Sequence, residues 1–345
     1  MQHLKRFPFR RYIMATTSPT TPPITATPSA AYATLKCGIT VIVVIVMVVG
    51  IIFSGVFYRH PVWTIDQAMD ARLRFAGFHS EYVRVGSYRV HYFVGGKGKP
   101  LVLIHGLGAR SEDWTPEMPV YARNGFRVYA IDLLGCGRTD RPDIAYTIEE
   151  QVDLIQGFLN AVHVEKADVM GWSMGGWVAL EFALQHPERV DRLVVMDSAG
   201  LKFKTDLSPE ILEPTNISQL KRLEAVLIAH RYYIPEFVQR DLLRTMERNR
   251  PVVRRTLQSL LLEEGDFAGR LDQLQMPVLL VWGARDELIP PSVGTRMHGA
   301  IPQSVLEFYS GCGHLGPATC ADRMAPRAMD FLRSQPPMAG GEFHY

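Results

Sequence analysis

The stretch Val169–Leu180, "VMGWSMGGWVAL", decides the fold, because a serine stands between two glycines where an apolar run passes into a helix-forming run. In the pattern G-x-S-x-G, a buried strand turns directly into a helix and the serine adopts strained backbone angles. Gly171 and Gly175 keep side chains away from the neighbouring strand and helix. The pattern predicts that Ser173 projects from a sheet as a nucleophile, although small residues at such a turn also serve close packing alone.

A serine hydroxyl becomes a strong nucleophile when a base removes its proton, so the pattern requires a histidine and a carboxylate that orients it. Asp286 follows the apolar run "PVLLVWG", and His314 follows the run "SVLEFY". The order Ser, Asp, His, with each residue just past a predicted strand, predicts a catalytic triad of Ser173, Asp286 and His314. Asp197, at the end of "RLVVMD", is the alternative acid.

The loop His105-Gly106-Leu107-Gly108 follows another buried run. Acyl transfer places negative charge on an oxygen atom, which backbone N–H groups of such a loop and of the residue after the nucleophile stabilise. The predicted pair of donors is the N–H groups of Leu107 and Met174. His105 is expected to brace the loop. In "DLLGCGRTDRP", four residues are expected to order a turn beside the site: Asp132, Gly135, Gly137 and Asp140.

Strand-like and helix-like stretches alternate between residues 81 and 335, which is typical of an α/β fold with a mostly parallel sheet. A half-exposed strand is predicted at Tyr88–Val94 and helices at Thr147–Val162 and Gly176–His186, the first opening with a capping box. Five short apolar runs predict strands that are buried on both faces: Leu101–Ile104, Val128–Ile131, Asp168–Met170, Leu193–Met196 and Val278–Trp282.

Between Tyr82 and Leu332, the motifs "HGLG", "DLLGCGRTDRP", "GWSMGG", "GARDELIP" and "GCGH" resemble the α/β-hydrolase family in kind and order. The resemblance implies the α/β-hydrolase fold: a mostly parallel eight-stranded sheet flanked by helices, with a helical cap at about 200–271. It implies neither cofactor nor metal. Trp172 departs from the many members that carry histidine before the nucleophile. Ser173 excludes the relatives that carry aspartate there, namely haloalkane dehalogenases and epoxide hydrolases.

The N-terminal region has a different composition. The run "GITVIVVIVMVVGIIFSGVF" carries no charge and is about as long as a bilayer core requires of a helix. It predicts an uncleaved transmembrane anchor at 37–58, because a buried strand is far shorter and no signal-peptidase site follows the run. Residues 1–36, rich in Thr and Pro, are predicted to be disordered. Residues 59–80 are predicted to be a linker and 336–345 a flexible tail.

Basic residues precede the anchor and acidic residues do not, so the N-terminus is expected in the cytoplasm and the catalytic domain on the other side of the membrane. A start at Met14 would leave Lys36 as the one charge before the anchor and weaken this expectation. Two readings of Cys312 and Cys320 stay open: a disulfide in an oxidising compartment, or free core thiols.

A formal net charge of +2, without RNP, zinc-finger or basic-region patterns, gives no sign of nucleic acid as a partner. Six arginines between Arg240 and Arg255 would suit anionic lipid headgroups, or else form a solvated face of a cap helix. The sequence leaves the oligomeric state open.

These features together predict a membrane-anchored serine hydrolase that acts on carboxylic esters of lipid or small-molecule type. The anchor combined with "DSAGLKF" is similar to membrane-anchored monoacylglycerol lipases of the family. The same triad also serves C–C bond hydrolysis and cofactor-free perhydrolysis, which the sequence does not separate from ester hydrolysis. A hydrolase fold can also act as a non-catalytic ligand-binding receptor. The complete triad argues against this last alternative.

Overall fold

The computed structural model describes residues 30–345 except 231 and 263–266, and the chain divides into two compact units between Ser54 and Gly55. The first helix, α1, is Ala30–Arg59. Within it, Gly38–Arg59 is long and apolar enough to cross a membrane, and its mean hydropathy is 3.0. The predicted disordered segment 1–36 lies outside the described residues up to residue 29, whereas residues 30–36 belong to α1.

The stretch predicted to be a linker, residues 59–80, is mostly helical, so that prediction is wrong. Helix α2 is Pro61–Phe75, and the first strand begins at Phe78. A proline suits the first position of α2, because its fixed φ is helical and its missing N–H has no helical acceptor there. Asp70 and Leu73 are buried. Helix α2 therefore packs along one face against the rest of the second unit, Gly55–Tyr345.

A nine-stranded sheet forms the centre of the second unit, in the order β1-β2-β4-β3-β5-β6-β7-β8-β9. β1 and β4 pair antiparallel with β2, and the remaining pairs are parallel. The mostly parallel sheet is as predicted. The strands are β1 (Phe78–Val85), β2 (Tyr88–Gly96), β3 (Lys99–Ile104), β4 (Phe126–Ile131), β5 (Ala167–Trp172), β6 (Val190–Met196), β7 (Val278–Gly283), β8 (Val305–Tyr309) and β9 (Glu342–His344).

The ninth strand corrects two expectations, the count of eight strands and the flexible tail at 336–345. β9 pairs in parallel with β8. The Tyr345 N–H donates to the Phe308 carbonyl at 2.8 Å, and the Ser310 N–H donates to the Tyr345 carbonyl at 2.8 Å. The rings of Phe308 and His344 stack with centroids 5.0 Å apart. The chain end therefore completes an edge of the sheet.

Helices cover both faces of the sheet. Leu101 and Leu103 of β3 face one buried cluster, and Val102 and Ile104 face the other, so this strand is buried on both sides as its sequence predicts. The remaining helices are α3 (Met118–Arg123), α4 (Ile148–Ala161), α5 (Met174–Gln185), α6 (Ile217–Leu227), α7 (Glu236–Leu262), α8 (Pro291–Ala300), α9 (Gly316–Thr319) and α10 (Ala321–Arg333).

The start of α4 shows how local sequence fixes an element. The Glu150 N–H donates to Thr147 Oγ1 at 3.1 Å, and the Thr147 N–H donates to Glu150 Oε2 at 2.8 Å. This reciprocal pair is the predicted capping box, and it satisfies two N–H groups that a helix start leaves without acceptors. The following helix, α5, begins at Met174, two residues before the predicted start.

Helices α6 and α7 lie between β6 and β7, in the region 200–271 that was predicted to hold the cap. The arginine run of α7 is largely paired, since four of its members form ion pairs: Arg240 with Glu236, Arg244 with Asp241, Arg254 with Glu213 and Arg255 with Asp143. Acidic neighbours therefore offset much of the positive charge that suggested contact with anionic lipids.

Candidate active site

The turn from β5 to α5 holds Ser173 at φ 58° and ψ −123°, a strained conformation for a residue with a side chain. Close packing explains the flanking glycines. A Cβ on Gly171 would lie 2.1 Å from the Gly175 carbonyl oxygen, and a Cβ on Gly175 would lie 2.3 Å from the Ile104 carbonyl oxygen. The turn is therefore the tight elbow that the sequence predicts, with Ser173 9% exposed.

Ser173, His314 and Asp286 form one continuous chain of hydrogen bonds. The Nε2 atom of His314 lies 2.9 Å from Ser173 Oγ, and its Nδ1 atom lies 2.8 Å from Asp286 Oδ2. The other oxygen of Asp286 accepts the N–H groups of Leu288 and Ile289, each at 2.9 Å. The backbone thus fixes one oxygen of Asp286, and the other, Oδ2, can accept the Nδ1–H of His314. With its proton on Nδ1, His314 can accept the serine proton on Nε2.

The loop after β3 lies against the elbow, where the predicted oxyanion donors are located. A Cβ on Gly106 would lie 3.0 Å from Ser173 Cβ, so the backbone of this loop passes close to the nucleophile. Leu107 follows in the same loop. Met174 is the first residue of α5, and its N–H has no acceptor within the helix. Both N–H groups thus belong to the segments that adjoin Ser173, in keeping with the predicted role.

Asp197, the alternative acid, has a different environment. Its Oδ1 atom accepts the Gly283 N–H at 2.7 Å, while its Oδ2 atom is buried without a hydrogen-bond partner. Burial first, and then the nearby charge of Asp286, hold the pKa of Asp197 well above its ordinary value. A neutral Asp197 braces the start of the turn that carries Asp286. The structure therefore places Asp286, and not Asp197, on His314.

His105 braces the oxyanion loop as predicted. Its Nδ1 atom lies 2.8 Å from the Gly106 carbonyl oxygen, and its Nε2 atom accepts the Leu133 N–H at 3.1 Å. Burial lowers the pKa of His105, so the ring is neutral and donates through Nδ1. Both ring nitrogen atoms of His105 are thus hydrogen-bonded to backbone groups, and the side chain has a structural role.

Asp132 orders the neighbouring turn, again in the structural role that the sequence suggests. Its carboxylate accepts the N–H groups of Ser111 at 2.7 Å and of Arg138 at 2.8 Å. It also lies 2.7 Å from His91 Nδ1. Burial alone would raise the pKa of Asp132, but the hydrogen bond and charge of His91 together with the other donors lower it to about 2. The carboxylate therefore remains charged and holds the turn together.

Trp172 has a role that the sequence did not reveal. Its indole Nε1–H donates to the His314 carbonyl oxygen at 2.8 Å, and the two rings lie with centroids 5.8 Å apart. The residue before the nucleophile thus supports the loop of the proposed base. Its departure from the family pattern was visible in the sequence, whereas its hydrogen-bond partner, 142 residues away, was not.

Cys312 and Cys320 form a disulfide across the loop that contains His314. The Cys312 carbonyl oxygen also accepts the Arg285 N–H at 2.8 Å, next to Asp286 in the chain. Of the two readings left open by the sequence, the structure has the disulfide, and Cys136 is a buried free thiol. The disulfide thus restrains a loop on which both the acid and the base depend.

Helix α2 supports the segment after the oxyanion loop through ion pairs that the sequence also did not reveal. Asp66 accepts from Arg110 Nη1 at 3.0 Å. Asp70 accepts from Arg138 Nη2 at 2.7 Å, and the same guanidinium group pairs with Glu112, which is 1% exposed. Because these carboxylates are largely buried, removing one partner would leave an uncompensated charge. Among the residues that the structure describes, no cluster of three His, Cys, Asp or Glu side chains could hold a metal ion.

Comparison with protein families agrees with this geometry. A model of the alpha/beta hydrolase family matches residues 101–327, which covers most of the catalytic unit. The chain belongs to the α/β-hydrolase family.

Two relatives are named for hydrolysis of dienoic acids. A 2-hydroxy-6-oxo-6-(2'-aminophenyl)hexa-2,4-dienoic acid hydrolase of Metapseudomonas resinovorans is 30% identical over 74% of this chain and 92% of its own length. A 2-hydroxy-6-oxononadienedioate/2-hydroxy-6-oxononatrienedioate hydrolase of Paraburkholderia phymatum is 29% identical over 73% and 95%. A crystal structure of a membrane phospholipase A has a TM-score of 0.74 with 22% identity, covering 85% of this chain and 98% of its own, and shares the fold.

The two carboxyl groups near the triad give a direct test of which acid orients His314. We expect Asp286→Asn to lower kcat by about a thousandfold to ten-thousandfold, because the amide cannot hold the required tautomer of the base. We expect Asp197→Asn, the matched control, to change kcat by less than about fivefold, since its oxygen still accepts the Gly283 N–H. Hydrolysis of a soluble ester by folded variants is the measurement, and the reverse ranking would assign the acid to Asp197.

The raised pKa of Asp197 predicts a pH dependence of stability. The folded state keeps a proton on this carboxyl group that the unfolded chain loses above about pH 4. Its stabilising contribution is complete at low pH and declines as the pH rises from the unfolded pKa toward the folded pKa. Asp197→Asn stays neutral, so its unfolding temperature should rise relative to that of the wild type as the pH is raised above about 4, the ordinary pKa of an aspartate. A constant difference between the two proteins would show that Asp197 does not titrate in this way.

The disulfide should support both stability and activity. For a sequence separation of eight residues, the loss of the cross-link is expected to cost about 2 to 3 kcal/mol of unfolding free energy. Cys312→Ser/Cys320→Ser should therefore melt at a lower temperature and lose activity well below that melting temperature, because the His314 loop is released. Cys136→Ala is the control for general thiol effects. Unchanged kcat in the double variant would mean that the disulfide does not hold the base.

Proposed function

We propose that this chain is a membrane-anchored serine hydrolase that cleaves carboxylic esters, of lipid or small-molecule acyl type. The observation that carries the proposal is the chain of hydrogen bonds from Ser173 through His314 to Asp286. Nucleophile, base and acid stand in the order and at the distances that acyl transfer requires. The complete triad argues against a non-catalytic ligand-binding receptor.

In the proposed reaction, Ser173 Oγ attacks the ester carbonyl carbon while His314 Nε2 removes the hydroxyl proton. The negative charge on the carbonyl oxygen is stabilised by the N–H groups of Leu107 and Met174. Asp286 holds the imidazolium in place. His314 then donates its proton to the departing alcohol, and an acyl group remains on Ser173. Water, deprotonated by His314, then attacks this acyl-enzyme, and His314 returns the proton to Ser173 Oγ as the carboxylic acid leaves.

The surroundings of the nucleophile favour an apolar acyl substrate. A Cβ on Gly108 would lie 3.5 Å from Val253 of the cap helix α7, and a Cβ on Gly135 would lie 2.6 Å from the adjacent Val252. Two residues with neutral side chains adjoin this site: Met174 follows Ser173 in the chain, and Leu107 follows Gly106, where a Cβ would lie 3.0 Å from Ser173 Cβ. An acyl chain loses no hydrogen bonds to such a lining and gains from its own burial.

Hydrolysis of a C–C bond in a 2-hydroxy-6-oxo acid is the second candidate, because hydrolysis of such acids is named for relatives at 29% and 30% identity over about three quarters of this chain. The substrates named for those relatives are carboxylic acids, which need a cationic partner near the nucleophile. The arginines that the structure records beside the oxyanion loop, Arg110 and Arg138, are paired with carboxylates of this chain. Because these arginines are already paired, the site favours hydrolysis of a neutral ester over hydrolysis of an anionic dienoate.

Two observations support the proposed location. Gly38–Arg59 has the length and composition of a single membrane span. Disulfides such as Cys312–Cys320 persist in oxidising compartments, which agrees with a catalytic domain outside the cytoplasm. The proposal is therefore a single-pass protein with its N-terminus in the cytoplasm.

A substrate panel separates the two reactions. With purified full-length protein, kcat/KM should be higher by about tenfold or more for p-nitrophenyl esters and monoacylglycerols than for 2-hydroxy-6-oxo-hexa-2,4-dienoates. A fluorophosphonate probe should label the wild type, and Ser173→Ala should lose both labelling and turnover while it remains folded. A preference for the dienoate would favour the C–C hydrolase. Labelling that survives in the alanine variant would remove Ser173 as nucleophile.

The full chain should also stay in membranes during carbonate extraction.

A further inference from the structure

Helix α2 has an exposed apolar face that no contact within the catalytic unit explains. This side of the helix carries residues spaced by three and four positions, three of them apolar and one basic: Ile65, Ala68, Arg72 and Phe75. Ile65 is 43% exposed and Phe75 is 93% exposed. A soluble helix normally buries such a face, so its exposure indicates a partner outside the unit.

The opposite face of α2 is fixed to the catalytic unit, which determines the side that points outward. Asp66 and Asp70 are engaged in ion pairs with Arg110 and Arg138. Leu73 is completely buried. Since both acidic residues of α2 point inward, the charge on the face that carries Ile65 and Phe75 is the positive one of Arg72. The outward surface is thus apolar and basic, which is the composition of helices that lie in a membrane interface.

The position of α2 in the chain identifies the partner. One residue, His60, separates the end of the candidate membrane span from the first residue of α2. A helix that leaves the bilayer one residue earlier begins at the headgroup level, where anionic lipids attract arginine and apolar side chains enter the acyl boundary. Exposed Tyr58 and Trp63 flank this junction, and such aromatic side chains are enriched at the membrane interface.

We propose that the face of α2 formed by Ile65, Ala68, Arg72 and Phe75 is a membrane-contact surface that lies in the headgroup region of an anionic bilayer. The proposal rests on the membrane anchor of the proposed function. It commits to the lipid surface as the occupant, because the face directly follows the candidate membrane span and because a second copy of the chain would not require the arginine beside the apolar residues.

This contact would also fix the height of the cap above the bilayer. The ring of Phe237, in the first turn of α7, stacks on Tyr58 with centroids 5.0 Å apart and contacts Phe57 edge to face at 5.7 Å. The Val62 N–H of α2 donates to Asp241 Oδ2 of α7 at 3.1 Å. The cap helix is therefore joined to the residues that leave the membrane. A lipid-bound α2 would hold the mouth of the site close to lipid substrates.

Lipid contact can be measured on the full-length protein in vesicles of phosphatidylcholine with roughly one third phosphatidylserine. In a Cys37→Ser background, an environment-sensitive fluorophore is attached to Ile65→Cys, Phe75→Cys or the control Gln67→Cys, whose site is exposed on another side of α2. Lipids brominated near the headgroup should quench the probe at 65 and 75 several-fold more than at 67. Equal quenching at all three positions would overturn the proposal.

Two companion measurements separate this proposal from the proposed function. Carbonate extraction of the same samples tests the anchor, and release of the full chain would overturn the anchor and the contact surface together. Retention of the chain without selective quenching would overturn the surface alone. Oxidative cross-linking between two copies through Phe75→Cys, without lipid quenching, would instead assign this face to a dimer.

Activity gives a second, independent readout. Ile65→Ser/Phe75→Ser should hydrolyse a soluble short-chain ester like the wild type, because neither side chain touches the site. Against a monoacylglycerol embedded in the vesicles, its rate should fall by about fivefold or more, while Gln67→Ser should keep the full rate. Equal losses on both substrates would indicate a structural role for the two side chains and contradict membrane contact.

Discussion

The tight turn at Ser173 is the constraint on which the rest of the site depends. Ser173 keeps its positive φ because the glycines around it let β5, α5 and the end of β3 approach to contact distance. β5 lies near the middle of the sheet, between β3 and β6. The carboxyl ends of parallel strands meet at one edge of a sheet. The loops that carry the oxyanion donors, the acid and the base therefore converge on this turn.

The two buried carboxyl groups show how environment assigns different roles to the same chemical group. Asp286 faces three donors, from His314 and from two backbone N–H groups. Asp197 faces one donor and leaves an oxygen without a partner. A carboxylate needs several donors to remain charged in a protein interior, whereas a neutral acid needs fewer. The number of donors, which follows from the turn after β7, selects the acid.

The sequence could predict the elbow, the meeting of Ser173, Asp286 and His314, and the buried strands, because each depends on local patterns of glycine, apolar residues and residue order. It could not predict the packing of α2, because the partners of its two acidic residues lie far away in the sequence. The fold pairs Asp66 with Arg110, and it pairs Asp70 with Arg138. The strand β9 is three residues long, too short for a periodic signal. The disulfide depends on the distance between two loop positions, which their spacing alone leaves open.

One helix of the cap connects the proposed location with the proposed chemistry. The first turn of α7 contacts Phe57 and Tyr58 at the end of the candidate span, and its later residues Val252 and Val253 lie against the loops beside Ser173. The triad and oxyanion donors are common to ester and C–C hydrolases, so they cannot select the substrate. Selection therefore depends on the side chains around the triad, and the helix that supplies Val252 and Val253 also contacts the end of the candidate span.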